Sequence, residues 1–296
     1  MAITLENKNL QIFIDFPKEN YTGSRFDWST KIIQVNYRGI PLLASELDQQ
    51  TLEQDKSFGR GLYNEFGSSL PLGFDSAQIG DRFHKIAIGT LEKKAPIYSN
   101  QKQIEVNPVE FKFDHNPKQF NCLVTAQTIN GYSYSLQKSI QMQENSFSIH
   151  YTLTNTGSKV IKTNEYNHNF LCFKGFPINS DYKLTIPSDL RLLELTELVN
   201  KEKVMSINDN VIQFTKKPSE AFFISTELKD RYVDAFWKLE NNALNIGMSE
   251  TGDFKTIQFH LWGCAHVISP ELFIDVEINP SKTKEWTRTY SFFKLT

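Results

Sequence analysis

Period-two alternation of apolar and polar residues recurs along almost the whole chain while helical periodicity is scarce, and few folds accept that pattern. Ser146 to Thr154 sets Phe147, Ile149, Tyr151 and Leu153 against Ser148, His150, Thr152 and Thr154, the pattern of a half-buried strand. Comparable runs cover Gln11–Phe16, Lys31–Tyr37, His84–Glu92, Gln119–Thr128, Tyr132–Gln143 and Val160–Cys172. Further runs cover Tyr182–Ile186, Val211–Thr215, Ala221–Thr226, Thr256–Trp262, Leu272–Ile278 and Glu285–Phe293. Asn130-Gly131 is the sharpest turn signal, because both residue types tolerate the positive φ of a type I′ hairpin. A short polar stretch, Ser45–Lys56, is the one helix-like piece. Ser57–Asp81 holds five glycines and little alternation, so a long ordered loop is expected there.

So many antiparallel strands must close a barrel, repeat as a propeller or stack as a sandwich. Propeller blades would leave a repeat of roughly 40 to 50 residues, and none is visible. The expectation is an all-β chain folded as a large antiparallel sandwich, whose curved face forms a groove. No Pro-, Ser- or Gly-rich linker divides the 296 residues, so one domain over 1–296 is expected.

A formal net charge of −2 carries no electrostatic footprint for nucleic acid or an anionic membrane. No apolar run approaches a bilayer span and the first residues carry no signal-peptide pattern, so a cytoplasmic location without membrane partners is expected. Cys122, Cys172 and Cys264 are few, scattered and odd in number, which reads as reduced core thiols rather than a disulfide framework or a zinc site. The six histidines show no HxH or HxxxH pairing, and His260 and His266 alone make only a faint metal site, so no metal is expected.

Four groups could carry chemistry. In Tyr166-Asn167-His168-Asn169-Phe170 an imidazole lies between two aromatic rings on one strand face, where it could serve as a proton donor or simply as a bonded sheet residue. In Ser269-Pro270-Glu271 and the strand after it, Leu272, Ile274, Val276 and Ile278 share one face. Glu271, Phe273, Asp275 and Glu277 share the other, so Glu271 is a candidate base at the strand entrance and Glu277 the alternative. His260 and Trp262 share a strand face with Gln258, and the indole offers a sugar platform or a core contact. The glycine-rich region and the strand after it contribute Arg60, Asn64, Glu65, Asp75 and Lys85 as candidate hydroxyl partners. No GxxxxGK[ST] loop is present, which favours an unphosphorylated ligand.

Taken together, several segments resemble the galactose mutarotase-like superfamily, the aldose 1-epimerases and their relatives. Gly23–Ser29 with Val35–Gly39 resembles its opening hairpin, and Phe83–Gly89 the strand after its first glycine-rich loop. Asn155-Thr156-Gly157 with Tyr166–Phe170 resembles its catalytic-histidine hairpin, and Asn279–Phe292 its closing strand. The resemblance implies a β-supersandwich without cofactor that interconverts the α and β anomers of a small carbohydrate. It assigns His168 as the acid on the ring oxygen and Glu271 as the base on the anomeric hydroxyl, facing each other across one sugar-sized space. Tyr166, His260 and Trp262 join the substrate contacts. The family arginine is matched only loosely, by Arg60. A non-catalytic carbohydrate-binding or regulatory protein on the same sandwich is the alternative.

Overall fold

In the computed structural model, which describes residues 2–47, 51, 55–187, 195–227 and 232–295, two ten-stranded antiparallel sheets lie face to face. The helix-like expectation over 45–56 falls largely outside the described residues. The first sheet runs in the order Ile3–Glu6, Leu10–Asp15, Lys31–Tyr37, Leu62–Phe66, Ile161–Asn169, Val267–Ile278, Gln258–Cys264, Phe222–Glu227 and Leu195–Val199, with Ile40–Pro41 beside Lys31–Tyr37. The second sheet includes Ser146–Asn155 paired between Tyr134–Met142 and Thr283–Lys294. A separate three-stranded sheet, Arg82–Lys85, Gly89–Glu92 and Val106–Pro108, supplies Lys85 to the outer side of the first sheet.

Alternation builds the core between the large sheets. Phe147, Tyr151 and Leu153 are fully buried, and Tyr151 stacks on Trp286 of the neighbouring strand with ring centroids 4.9 Å apart. The Asn130-Gly131 turn takes φ of 51° and 83°, and Ile129 and Tyr132 exchange backbone hydrogen bonds across it.

Three local expectations are corrected. Ser57–Asp81 contains the strand Leu62–Phe66, buried along its whole length. It lies between Lys31–Tyr37 and Ile161–Asn169 with both faces covered, so it has no polar face to alternate with. His84–Glu92 is not one strand but a hairpin turning at Ala87, with φ of 59°. The Asn155–Lys159 turn joins no hairpin either: Ser146–Asn155 and Ile161–Asn169 belong to opposite sheets, so the chain crosses the sandwich there.

The inner face of Ile161–Asn169 is polar and buried. Glu165 accepts from Arg288, Asn167 donates to the Tyr290 hydroxyl and Asn169 donates to Glu250, all partners lying on the second sheet. These bonds satisfy polar groups that burial would otherwise penalise. They also fix which face of the strand looks outward, and that outward face carries Tyr166, His168 and Phe170.

Candidate functional site

His168 sits at the junction of two central strands of the first sheet. Its imidazole stacks on Phe170, with centroids 4.0 Å apart and planes 16° apart, and meets the edge of Trp262 at 5.4 Å. From the adjacent strand Val267–Ile278, Glu271 brings one carboxylate oxygen to 3.2 Å from His168 Nε2. The Ser269 hydroxyl donates to that same oxygen at 3.0 Å, and His260 Nδ1 lies 3.7 Å from the other. His168, Glu271 and His260 thus bring two imidazoles to one carboxylate. Rather than facing each other across a space, acid and base candidates stand side by side on one wall.

Above that wall is a cavity of about 370 Å³ lined also by Arg25, Glu46, Ser68, Ser69, Asn100, Gln101, Tyr166, Phe223, Trp262 and Phe273. Tyr166 and Phe273 stack at 4.4 Å, extending an aromatic floor away from His168. Indole, phenyl and phenol faces beside carboxylate, amide and hydroxyl groups suit a ring with one apolar face and a rim of hydroxyls.

Behind Tyr166 lies a charge cluster. Glu65 accepts from the Tyr166 hydroxyl at 2.6 Å, from Arg25 Nε at 3.0 Å and from Lys85 Nζ at 2.8 Å. Arg25 also donates to the Tyr166 oxygen at 3.0 Å and lies over the Phe26 ring. Burial pushes the Glu65 carboxyl up, but Lys85 and Arg25 outweigh it and hold it down at about 2. The fixed carboxylate locks Tyr166 and Arg25 into single orientations.

In the His168–Glu271 pair, burial is the largest influence on His168 and holds its pKa at about 4, with the Glu271 carboxylate pulling upward. Burial pushes Glu271 up, but His168, His260 and Arg25 together leave it below its ordinary value. At neutral pH the site therefore holds a neutral imidazole beside a carboxylate.

Of the residues expected from the sequence to contact substrate, Tyr166, His260 and Trp262 line the cavity with His168 and Glu271, while Glu65 and Lys85 stand behind Tyr166. The others lie elsewhere. Arg60 is paired with Asp15 at 2.5 Å. Asn64 turns toward the second sheet, where it accepts from Lys138 and donates to Glu165. Asp75 is exposed on the loop after Leu62–Phe66. Glu277 is 63% exposed, paired with Lys162 and three side-chain repeats along the strand from Glu271. The cation in the cavity is Arg25, which belongs to a segment without periodicity and meets partners 40 and 141 positions away in sequence. Cys122 and Cys172 are buried free thiols, whereas Cys264 is only half-buried, next to His266.

No protein-family model matches the sequence, and no curated protein does. Solved structures do match in fold. The Slr1438 protein of Synechocystis superposes with a TM-score of 0.64 at 12% identity, over 99% of this chain and 96% of that one. A galactose mutarotase related enzyme from Lactobacillus acidophilus matches with a TM-score of 0.60 at 9% identity, over 100% and 98%. A galactose mutarotase-like protein from Lactobacillus casei gives 0.60 at 12% identity, over 99% and 100%. At such identities the likeness concerns the fold, which is the galactose mutarotase-like β-sandwich.

Proposed function

We propose that this chain, built on the galactose mutarotase-like sandwich, is an aldose 1-epimerase-like isomerase that interconverts the α and β anomers of an unphosphorylated sugar. The observation that carries the reading is the His168–Glu271 contact at the floor of an aromatic, sugar-sized cavity. The oxygens that must exchange protons, the anomeric hydroxyl and the ring oxygen, are bonded to the same carbon. An acid and a base standing side by side on one wall therefore reach both.

The step balances within the pair once it has taken up one proton. Glu271 takes the proton of the anomeric hydroxyl as its C–O bond becomes a carbonyl and the bond from C1 to the ring oxygen breaks. His168, as imidazolium, gives its proton to the departing ring oxygen. C1 then rotates, the ring hydroxyl attacks the other carbonyl face, and both protons return. No electron or group leaves the sugar, so the chemistry requires no cofactor. Arg25 and Tyr166, held by Glu65, are placed to bind and orient the ring. Glu46, Glu65 and Glu271 outnumber Arg25 and Lys85 around the cavity, a balance that disfavours a phosphate group.

Mutarotation of a panel of aldoses and uronates, followed by polarimetry or NMR, tests the reading. Acceleration by the wild type that falls roughly 10²- to 10⁴-fold in both His168→Ala and Glu271→Ala is the expected result. Binding without acceleration of any sugar would replace it with the non-catalytic carbohydrate-binding reading, which an unprotonated His168 at neutral pH also supports.

A further inference from the structure

The groove over the first sheet does not end at the cavity that holds His168. The register between Ile161–Asn169 and Val267–Ile278 places Asn164 opposite Asp275 and Lys162 opposite Glu277. With side chains alternating, these pairs share the face of Tyr166 with Phe273 and of His168 with Glu271. A second cavity of about 300 Å³ lies over them, lined by Ser69, Leu70, Lys162, Asn164, Asp275 and Glu277. Ser69 lines both cavities, so the two are neighbours on one strip. The strip extends over six residues of strand, about 20 Å, which exceeds the length of one pyranose ring.

The composition of the second cavity is that of a sugar subsite. Leu70 is 43% exposed, an apolar surface at the rim with no core role. Around it stand a carboxamide, two carboxylates and an ammonium group, a mixture of planar acceptors and donors for vicinal hydroxyls. Phe170 and Val267, beyond His168, are completely buried.

We propose that the second cavity is a binding subsite for a further sugar unit, so that the preferred ligand is an oligosaccharide whose reducing-end ring lies over His168 and Glu271. The inference rests on the epimerase reading for the first cavity and adds the substrate class. Only a reducing-end ring carries the free hemiacetal that can open. Its glycosidic neighbours leave from the side away from C1, and the second cavity gives them room beside Asn164 and Asp275.

The test compares mutarotation of glucose with maltose and maltotriose, and of galactose with lactose, in the wild type and in Asp275→Ala and Leu70→Ser. Both substitutions alter exposed side chains, and circular dichroism checks that the variants fold. The expected result is a higher kcat/KM for the longer sugar in at least one series, with the long-to-short ratio falling about fivefold or more in the variants. Equal kcat/KM within every series, or a ratio that both variants leave unchanged, overturns the subsite while leaving the epimerase reading intact. Should no sugar be accelerated, the epimerase reading fails separately. The ratio of dissociation constants by calorimetry, lower for the longer sugar and raised in the variants, then upholds the subsite, and equal constants overturn it.

Discussion

On the epimerase reading, a single proton decides whether the pair of His168 and Glu271 can work. With the imidazole held at about 4, the site at neutral pH has a base but no charged acid. The active form carries one more proton, and its population grows as the pH falls. Because kcat/KM reports the ionisations of the free enzyme, it should climb by about tenfold per unit from pH 8 toward pH 5. It should level as the pH nears the His168 value of about 4 and fall where Glu271, itself held below the ordinary carboxylate range, loses its charge. A flat profile between pH 8 and 5, after subtraction of the uncatalysed rate, would remove His168 from the acid role. The strand faces that bring these two side chains together were legible in the sequence, since alternation puts Tyr166, His168 and Phe170 on one face and Glu271 and Phe273 on another. What periodicity could not express is the pairing of the two strands, which lie about a hundred residues apart. Nor could it single out Arg25 over Arg60, because both stand in glycine-bearing irregular segments and only the folded chain shows which one turns toward Tyr166.

Leu62–Phe66 shows how an element can escape pattern reading and still govern the site. The strand holds Glu65 opposite Tyr166 and begins directly after Gly61, whose φ is +68°. A Cβ there would lie 2.0 Å from the Ile32 carbonyl oxygen, so backbone rather than a movable side chain bars any larger residue. Gly39 has a similar φ of +77° but nothing within 4 Å of its would-be Cβ. Comparing the two separates the cost of backbone conformation from that of collision. Gly39→Ala should lower stability by about 1 kcal/mol, the usual range for a non-glycine residue in the left-handed region. Gly61→Ala should cost at least about 3 kcal/mol in urea unfolding and weaken sugar binding as well, because displacing the strand moves Glu65 from Tyr166 and Arg25. Equal losses for both variants would contradict the close approach at Ile32. Glycine density in this region signals special backbone but points to a loop, because a strand covered on both faces carries the same lack of alternation.

At the scale of the whole molecule, the sandwich is joined by buried charge as well as by apolar packing. Arg288, fully buried on the second sheet, donates to Glu165 Oε2 at 2.7 Å and to the Leu272 carbonyl at 2.9 Å on the first, and is paired with Glu250 on its own sheet. Lys138 of the second sheet makes a parallel link, at 2.7 Å from Asp27 and 3.2 Å from the side-chain amide oxygen Oδ1 of Asn64. Glu165 and Leu272 lie on the two strands that carry His168 and Glu271, so the polar layer sets how those strands sit over the second sheet. Arg288→Met removes the cation and leaves two carboxylates facing each other in the interior, with the Glu250 carboxyl already pushed up by burial. The expected loss is about 3 to 5 kcal/mol. If uncompensated charge is the cause, replacing its partners as well, in Arg288→Met with Glu165→Gln and Glu250→Gln, should recover about half of that loss in urea unfolding. Recovery of stability need not restore mutarotation, because uncharged partners can pack the sheets together without holding the two strands in one register of side chains. Should the triple variant be no more stable than Arg288→Met, lost packing of the arginine stem rather than stranded charge would be what the sandwich had depended on.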